Sequence, residues 1–133
     1  MKDNSVIERH IMSVLVDNEP GVLARVIGLF SGRGYNIESL TVSETDPERA
    51  LSRISIVTSG TPMVIEQIKA QLARLVPIHA VRDLTKHDVA IERELALVKI
   101  INHGEERIEA LRIADTFRAR TLDSTLDSFV FEV

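Results

Sequence analysis

Two helix signatures, each opened by a proline and flanked by short β-type runs, constrain most strongly what this chain can fold into. "HIMSVLVD" (residues 10–17) is rich in Val, Ile and Leu and too short for a typical helix, so it is expected as a buried or half-buried strand. "NEP" stops it. Asn18 or Glu19 is expected at the N-cap, and Pro20 at the first helical position, where its missing N–H is not needed. Val22, Leu23, Val26, Ile27 and Phe30 then recur at three- and four-residue steps, one face of a helix that "SGRGYN" closes, with Gly32 or Gly34 taking the left-handed conformation.

"YNIESLTVSE" and "ALSRISIVTS" follow as strands. The second sets Ile54, Ile56 and Thr58 against Arg53, Ser55 and Val57, and the intervening "TDPER" makes the pair an antiparallel hairpin. "GTPMVIEQIKAQLARLVPI" repeats the helix signature: Thr61 as cap, Pro62 first, Ile65, Ile68, Leu72 and Leu75 inward, Pro77 ending it. "IHAVRDLTK" is the fourth strand. The resulting β-α-β-β-α-β order is a ferredoxin-like α+β arrangement, two helices covering one face of a four-stranded sheet. "ELALVKIIN", "GEERIEALRIADTFRA", "RTLDST" and "SFVFEV" then read as β-α-β-β, with Ile108, Leu111, Ala114 and Phe117 inward. This is two-thirds of a second copy, without the last helix and strand. Such a unit leaves one sheet edge open and part of its helical face unbuilt, to be covered by a partner or by a longer form of the chain. The expected division is an N-terminal domain over 1–87, a linker over 88–93 and an incomplete ferredoxin-like domain over 94–133.

Composition narrows the function. The 133 residues carry 44% hydrophobic content, no cysteine, and a net charge of -4 from sixteen basic and twenty acidic residues mixed along the sequence. No thiol nucleophile, disulfide or thiolate metal site can be built from this chain. Nucleic-acid binding requires a basic face, and the mixed charges supply none; no apolar run suits a membrane span or a signal peptide, which makes the cytoplasm the expected location. "KHDVAIERE" reads as a solvated linker.

Catalytic chemistry finds little support. His10, His79, His87 and His103 are scattered, with no pair at helical or strand spacing for a metal, and are expected at the surface or at strand ends. Nucleophile-elbow, P-loop and dinucleotide motifs are absent; "GRGYN" follows a helix, the wrong context for the last. Glu105 with Glu106 and Glu92 with Glu94 sit at a helix start and in a linker, where they favour the helix dipole or meet water. The Pro-Gly turn is the distinctive feature. A helix N-terminus offers unpaired backbone N–H groups to a carboxylate, Gly21 permits close approach, and Asn18 carries both donors and acceptors. Read from residues alone, "NEPGVL" is equally a well-formed cap with an adaptable glycine, and Asn36 equally a plain turn residue.

"LVDNEPGVLARVIGLFSGRGYNIESLTVSETD", with "LSRISIV" and "ERELALVKI", closely resembles the regulatory (small) subunits of acetohydroxyacid synthase, also called acetolactate synthase, from His10 to Val133. The resemblance implies an ACT domain followed by a second ferredoxin-like domain, here ending before its final helix and strand. It implies a chain without a catalytic centre or cofactor of its own, whose large-subunit partner carries thiamine diphosphate, magnesium and FAD. The role implied is activation of that subunit and feedback inhibition by valine or another branched-chain amino acid, bound between two ACT domains paired side by side in a homodimer. Carried over to this sequence, Asn18 with the backbone of Gly21, Val22 and Leu23 holds the amino acid from one protomer, and Asn36 and Ile37 close over it from the other. Position 24 is Ala where other members carry Ser. The alternative is a free-standing amino-acid sensor acting on another enzyme or regulator.

Overall fold

The computed structural model describes residues 6–86 and 90–133. They fall into two compact units divided at Ala90/Ile91. His87 and part of the expected linker lie outside the described residues.

The first unit runs β1 (Glu8–Asp17), α1 (Val22–Gly32), β2 (Ser39–Asp46), β3 (Leu51–Gly60), α2 (Pro62–Ala73) and β4 (Ile78–Asp83). Its sheet has the order β2-β3-β1-β4, all neighbours antiparallel. Alternation decides the packing. Met12, Val14 and Val16 of β1 and Ile54 and Ile56 of β3 are buried under the helices, meeting Val22, Val26 and Phe30 of α1 and Ile65, Ile68 and Leu72 of α2. Leu75 packs half-buried against this core. The expected strand of residues 35–44 begins later, at Ser39, because "YNIE" is spent leaving the helix.

The helix ends follow specific rules. At α2, Thr61 accepts a hydrogen bond from the Val64 amide and Pro62 occupies the first position, as the sequence predicts. At the C-terminus of α1, Gly34 (φ +71°) follows the capping Arg33; the Tyr35 amide bonds Phe30 O at 2.9 Å and the Gly34 amide bonds Ser31 O at 3.3 Å, a Schellman closure. Tyr35 packs edge-on to Phe30, the apolar contact that accompanies this motif. Three expectations for α1 are corrected. Its N-cap is Gly21, not Asn18 or Glu19, and Pro20 lies before the helix instead of at its first position, because Glu19 to Val22 first make a turn of their own. Leu23 and Ile27 are about 40% exposed, since the helix buries only the i, i+4 stripe and each lies one residue, roughly 100°, off it.

The histidines are expected at the surface or at strand ends, and His10, near the start of β1, is at a strand end yet buried. It is buried on the helix-covered face of β1, with Nδ1 2.7 Å from Asp83 and Nε2 2.8 Å from Glu8. The ring thus bridges two carboxylates, one buried on β4 and one half-buried on its own strand. Asp83 is itself buried on edge strand β4, accepts from the Thr85 amide, and has Lys69 of α2 at 3.7 Å. Lys69 and Lys86 both hold Glu66, at 2.7 and 2.8 Å. A charged clasp thus ties β1, β4 and α2 together.

The second unit runs β5 (Leu97–Ile101), α3 (Glu106–Thr116), β6 (Arg120–Ser124) and β7 (Ser128–Glu132), in sheet order β5-β7-β6. This is the order that β1, β3 and β2 take in the first unit. Its core is small: Ala110 and Ala114 of α3 lie against Phe129 and Phe131, with Arg107 stacked 4.1 Å over Phe129. Of the residues expected inward, only Ala114 is buried. A strict three-residue step slips about 60° per repeat around a helix, so Ile108 and Phe117 rotate out to solvent while the alanines let α3 approach the phenyl rings. An apolar groove of about 270 Å³ lies beside α3, lined by Val98, Ile100, Ile113, Phe117 and Phe131 among others.

Replacing His10 by leucine leaves Asp83 buried with its nearest strong partner gone, and should lower the unfolding free energy by about 3 kcal/mol in urea titrations. H10L/D83N should cost less than the sum of the two single changes, as in a coupled pair. Acid behaviour carries a second signature. Hydrogen bonds from Lys69 and Lys86 hold the Glu66 carboxyl down at about 2, against an ordinary 4.5. A depressed folded-state value contributes stability above the ordinary range that is lost as pH falls toward 2, so E66Q should flatten the wild-type loss of stability between pH 4.5 and 2.

Candidate ligand site at the N-terminus of helix α1

The site begins with a turn. The Val22 amide reaches Glu19 O at 3.4 Å, Pro20 occupies the second turn position, and Gly21 the third with φ +86° and ψ -10°. These are type II turn angles, which a residue with a Cβ adopts only under strain. Above Gly21 lies open space: a Cβ built there meets no atom within 4 Å. The glycine is therefore required by the backbone and also leaves its surface bare.

Beyond this turn α1 starts without a side-chain cap and without an acidic residue in its first turn. The Arg25 amide bonds Gly21 O at 3.1 Å, whereas the amides of Leu23 and Ala24 make no backbone hydrogen bond outside the helix among the described residues. Two N–H donors and the positive end of an 11-residue helix thus remain available to an anionic group. The contrast with α2 is direct, because there Thr61 consumes a first-turn donor.

The other expected residues divide by position. Asn18 is exposed just before the turn, its main-chain amide fixed to Ala50 O at 2.7 Å and its side chain without a hydrogen bond or ion pair among the described residues. Val22 offers only its backbone, because its side chain is in the core; Leu23 extends outward as a partly exposed apolar surface. Asn36 and Ile37 are elsewhere. The Asn36 carbonyl accepts a hydrogen bond from Thr58 Oγ1 at 2.6 Å, and Thr58 pairs with His10, whereas the Asn18 end of the sheet is the Asp17–Leu51 pair. Seven residues of β1 separate these pairs, about 23 Å at strand rise. Asn18, Gly21, Val22 and Leu23 are thus brought together, and Asn36 with Ile37 is held at the opposite end of the same sheet. Ile37 is half-buried against the core, which fixes the Asn36 side chain outside it. The Ala24 amide was missed by sequence reasoning. Its signal is the third position after a glycine turn, which an N-cap at Asn18 or Glu19 does not reach.

Among the described residues no group of three or more His, Asp or Glu side chains is arranged to hold a metal ion, and no helix is long and apolar enough to cross a membrane.

Comparison with known proteins places this geometry in a family. Residues 12–80 match the model of the AHAS small subunit-like ACT domain, and residues 93–133 that of the small subunit of acetolactate synthase. A probable acetolactate synthase small subunit of Archaeoglobus fulgidus is 46% identical over 94% of this chain and 77% of the relative. The acetolactate synthase isozyme 3 small subunit of Escherichia coli is 50% identical over 88% and 71%. The crystal structure of the acetolactate synthase small subunit from Thermotoga maritima superposes with a TM-score of 0.85 at 35% identity, covering 95% of this chain and 78% of that one. At 10% identity the ACT domain of a Chlorobium tepidum GTP pyrophosphokinase shares the fold alone, with a TM-score of 0.53 over 66% of this chain and 98% of that one. With both family models matched in sequence order along it, the chain belongs to the acetolactate synthase small-subunit family.

Proposed function

We propose that this chain is the non-catalytic regulatory subunit of an acetolactate synthase, acting in the cytoplasm. It raises the activity of a large subunit that carries thiamine diphosphate, magnesium and FAD, and it transmits feedback inhibition by valine or a similar branched-chain amino acid. The observation that carries this reading is the uncapped N-terminus of α1 beneath open space at Gly21. An α-amino acid suits it chemically. Its carboxylate meets the Leu23 and Ala24 amides and the helix dipole, its ammonium finds the Asn18 side-chain oxygen, and its aliphatic side chain lies against Leu23.

The separation of the two half-sites supports a dimer. Within one chain Asn36 stands about 23 Å from the cradle, too far to touch a ligand the size of valine. β2 is an edge strand, and on its helix-bearing side Val42 is 47% exposed. Pairing two β2 edges antiparallel about a two-fold axis sets the start of one β2 beside the end of the other. Asn36 and Ile37 of one protomer then face Asn18 and Gly21 of its partner, and each dimer holds two sites. A ligand shared in this way favours the dimer by mass action, and inhibition is its coupling free energy to the large subunit.

Gly21→Asp projects a carboxylate into the space above the turn, at some cost from its positive φ. Reconstituted with the large subunit, it should activate normally while valine inhibition disappears; inhibition at the wild-type concentration would remove this site from consideration. Asn36→Ala leaves the main-chain carbonyl bond to Thr58 in place, so the fold should survive. Calorimetry should show valine binding weakened about tenfold, the scale of one hydrogen bond to a charged group. Equal affinity would mean that no second chain closes the site.

A further inference from the structure

The face of the four-stranded sheet that carries no helix is defined by register. Leu15 lies between Arg53 of β3 and Ala80 of β4, and Ser13 lies between Ser55 and Arg82. Ile11 pairs with Val57, and β2 adds Ser39, Thr41 and Ser43. The face therefore combines half-buried Ile11, Leu15 and Val57 with small hydroxyl residues, which lets another surface approach closely. Its charges are unevenly satisfied. Arg9 reaches Glu38 at 3.7 Å, and Asp17 at the strand end is held by His79 at 2.6 Å. Arg53 and Arg82, both exposed, make no ion pair or side-chain hydrogen bond among the described residues. Their Cα atoms are about 12 Å apart, two strands and two residues across the pleat.

In a chain with net charge -4, the uncompensated charges of this face are two guanidiniums set around an apolar and small-residue centre. We infer that it docks a protein surface bearing carboxylates spaced to meet Arg53 and Arg82. On the reading above, on which this rests, that surface belongs to the large subunit. Arginine is the side chain best suited to such a contact, because its planar fork binds carboxylates bidentately and loses little solvation doing so. A second copy of the chain fits poorly, since face-to-face packing would set guanidinium against guanidinium without an unpaired acid. Nucleic acid fits no better, because two cations with no aromatic residue among them make a weak phosphate track.

The test uses the full chain and purified large subunit, with affinity followed by light scattering and calorimetry at low and moderate salt. R53E/R82E should bind the large subunit at least tenfold more weakly, and R53A/R82A, the milder change, should bind more weakly with a shallower salt dependence. Melting temperature and dimer content should stay at wild-type values in R53A/R82A. Affinity within twofold of wild type in both variants overturns the proposal, as does a lowered melting temperature in R53A/R82A that accounts for its loss of binding. A wild-type chain that binds no large subunit overturns the functional reading and this surface with it, an outcome distinguishable because it appears before any arginine is changed.

Discussion

Strand β1 is hydrogen-bonded on both sides, to β3 and β4, and its alternation commits the rest of the first unit. A period of two sends His10, Met12, Val14 and Val16 to one side and Ile11, Ser13 and Leu15 to the other. A one-residue slip would exchange a core for a surface. Both helices are held where they are because the even residues of β1 need cover, and α1 must leave β1 at Asp17 with its N-terminus open. The buried clasp of His10 and Asp83 acts on the same strand and ties the edge strand to the centre by charge as well as by ladder bonds.

How much of this was legible follows from how local each signal is. The strands and helices were readable because alternation and the i, i+4 stripe are sequence-local, and because Thr61-Pro62 states its cap without ambiguity. The cap of α1 was misplaced because Pro20 satisfies two local rules, the first position of a helix and the second of a turn. A glycine with positive φ decides between them, and φ is not written in the residue types. His10 eluded the sequence for a different reason: Asp83 is 73 residues away, and only the register of β4 on β1 brings the two into contact. In α3, apolar residues at three-residue steps suggest one face, whereas the packing selects alanines small enough to admit two phenyl rings.

The two units share one order of three strands beside a helix. In the first, α2 adds to the layer over the sheet and β4 covers the β1 edge; in the second, β5 is an edge strand among the described residues, with Leu97 and Ile101 exposed. Strand–turn–helix recurs at the corresponding points, with Gly104 (φ +59°) standing near the start of α3 as Gly21 does before α1. The surroundings differ: Glu106 and Glu109 occupy the first turn of α3, and an anion that would be welcome at α1 meets like charge there. On the function proposed above, a positive-φ glycine before a helix thus opens a cradle in one unit and makes a plain connection in the other.

The distance between Asn18 and Asn36 within one protomer has a genetic reading. If each site draws one wall from either chain, a chain altered at Gly21 and a chain altered at Asn36 do not carry the same lesion. Mixed in one dimer they place both changes in one site and leave the other wholly native. Two regulatory alleles, each insensitive alone, would then restore one of the two effector sites in every mixed dimer, a complementation that arises only when a site is divided between chains.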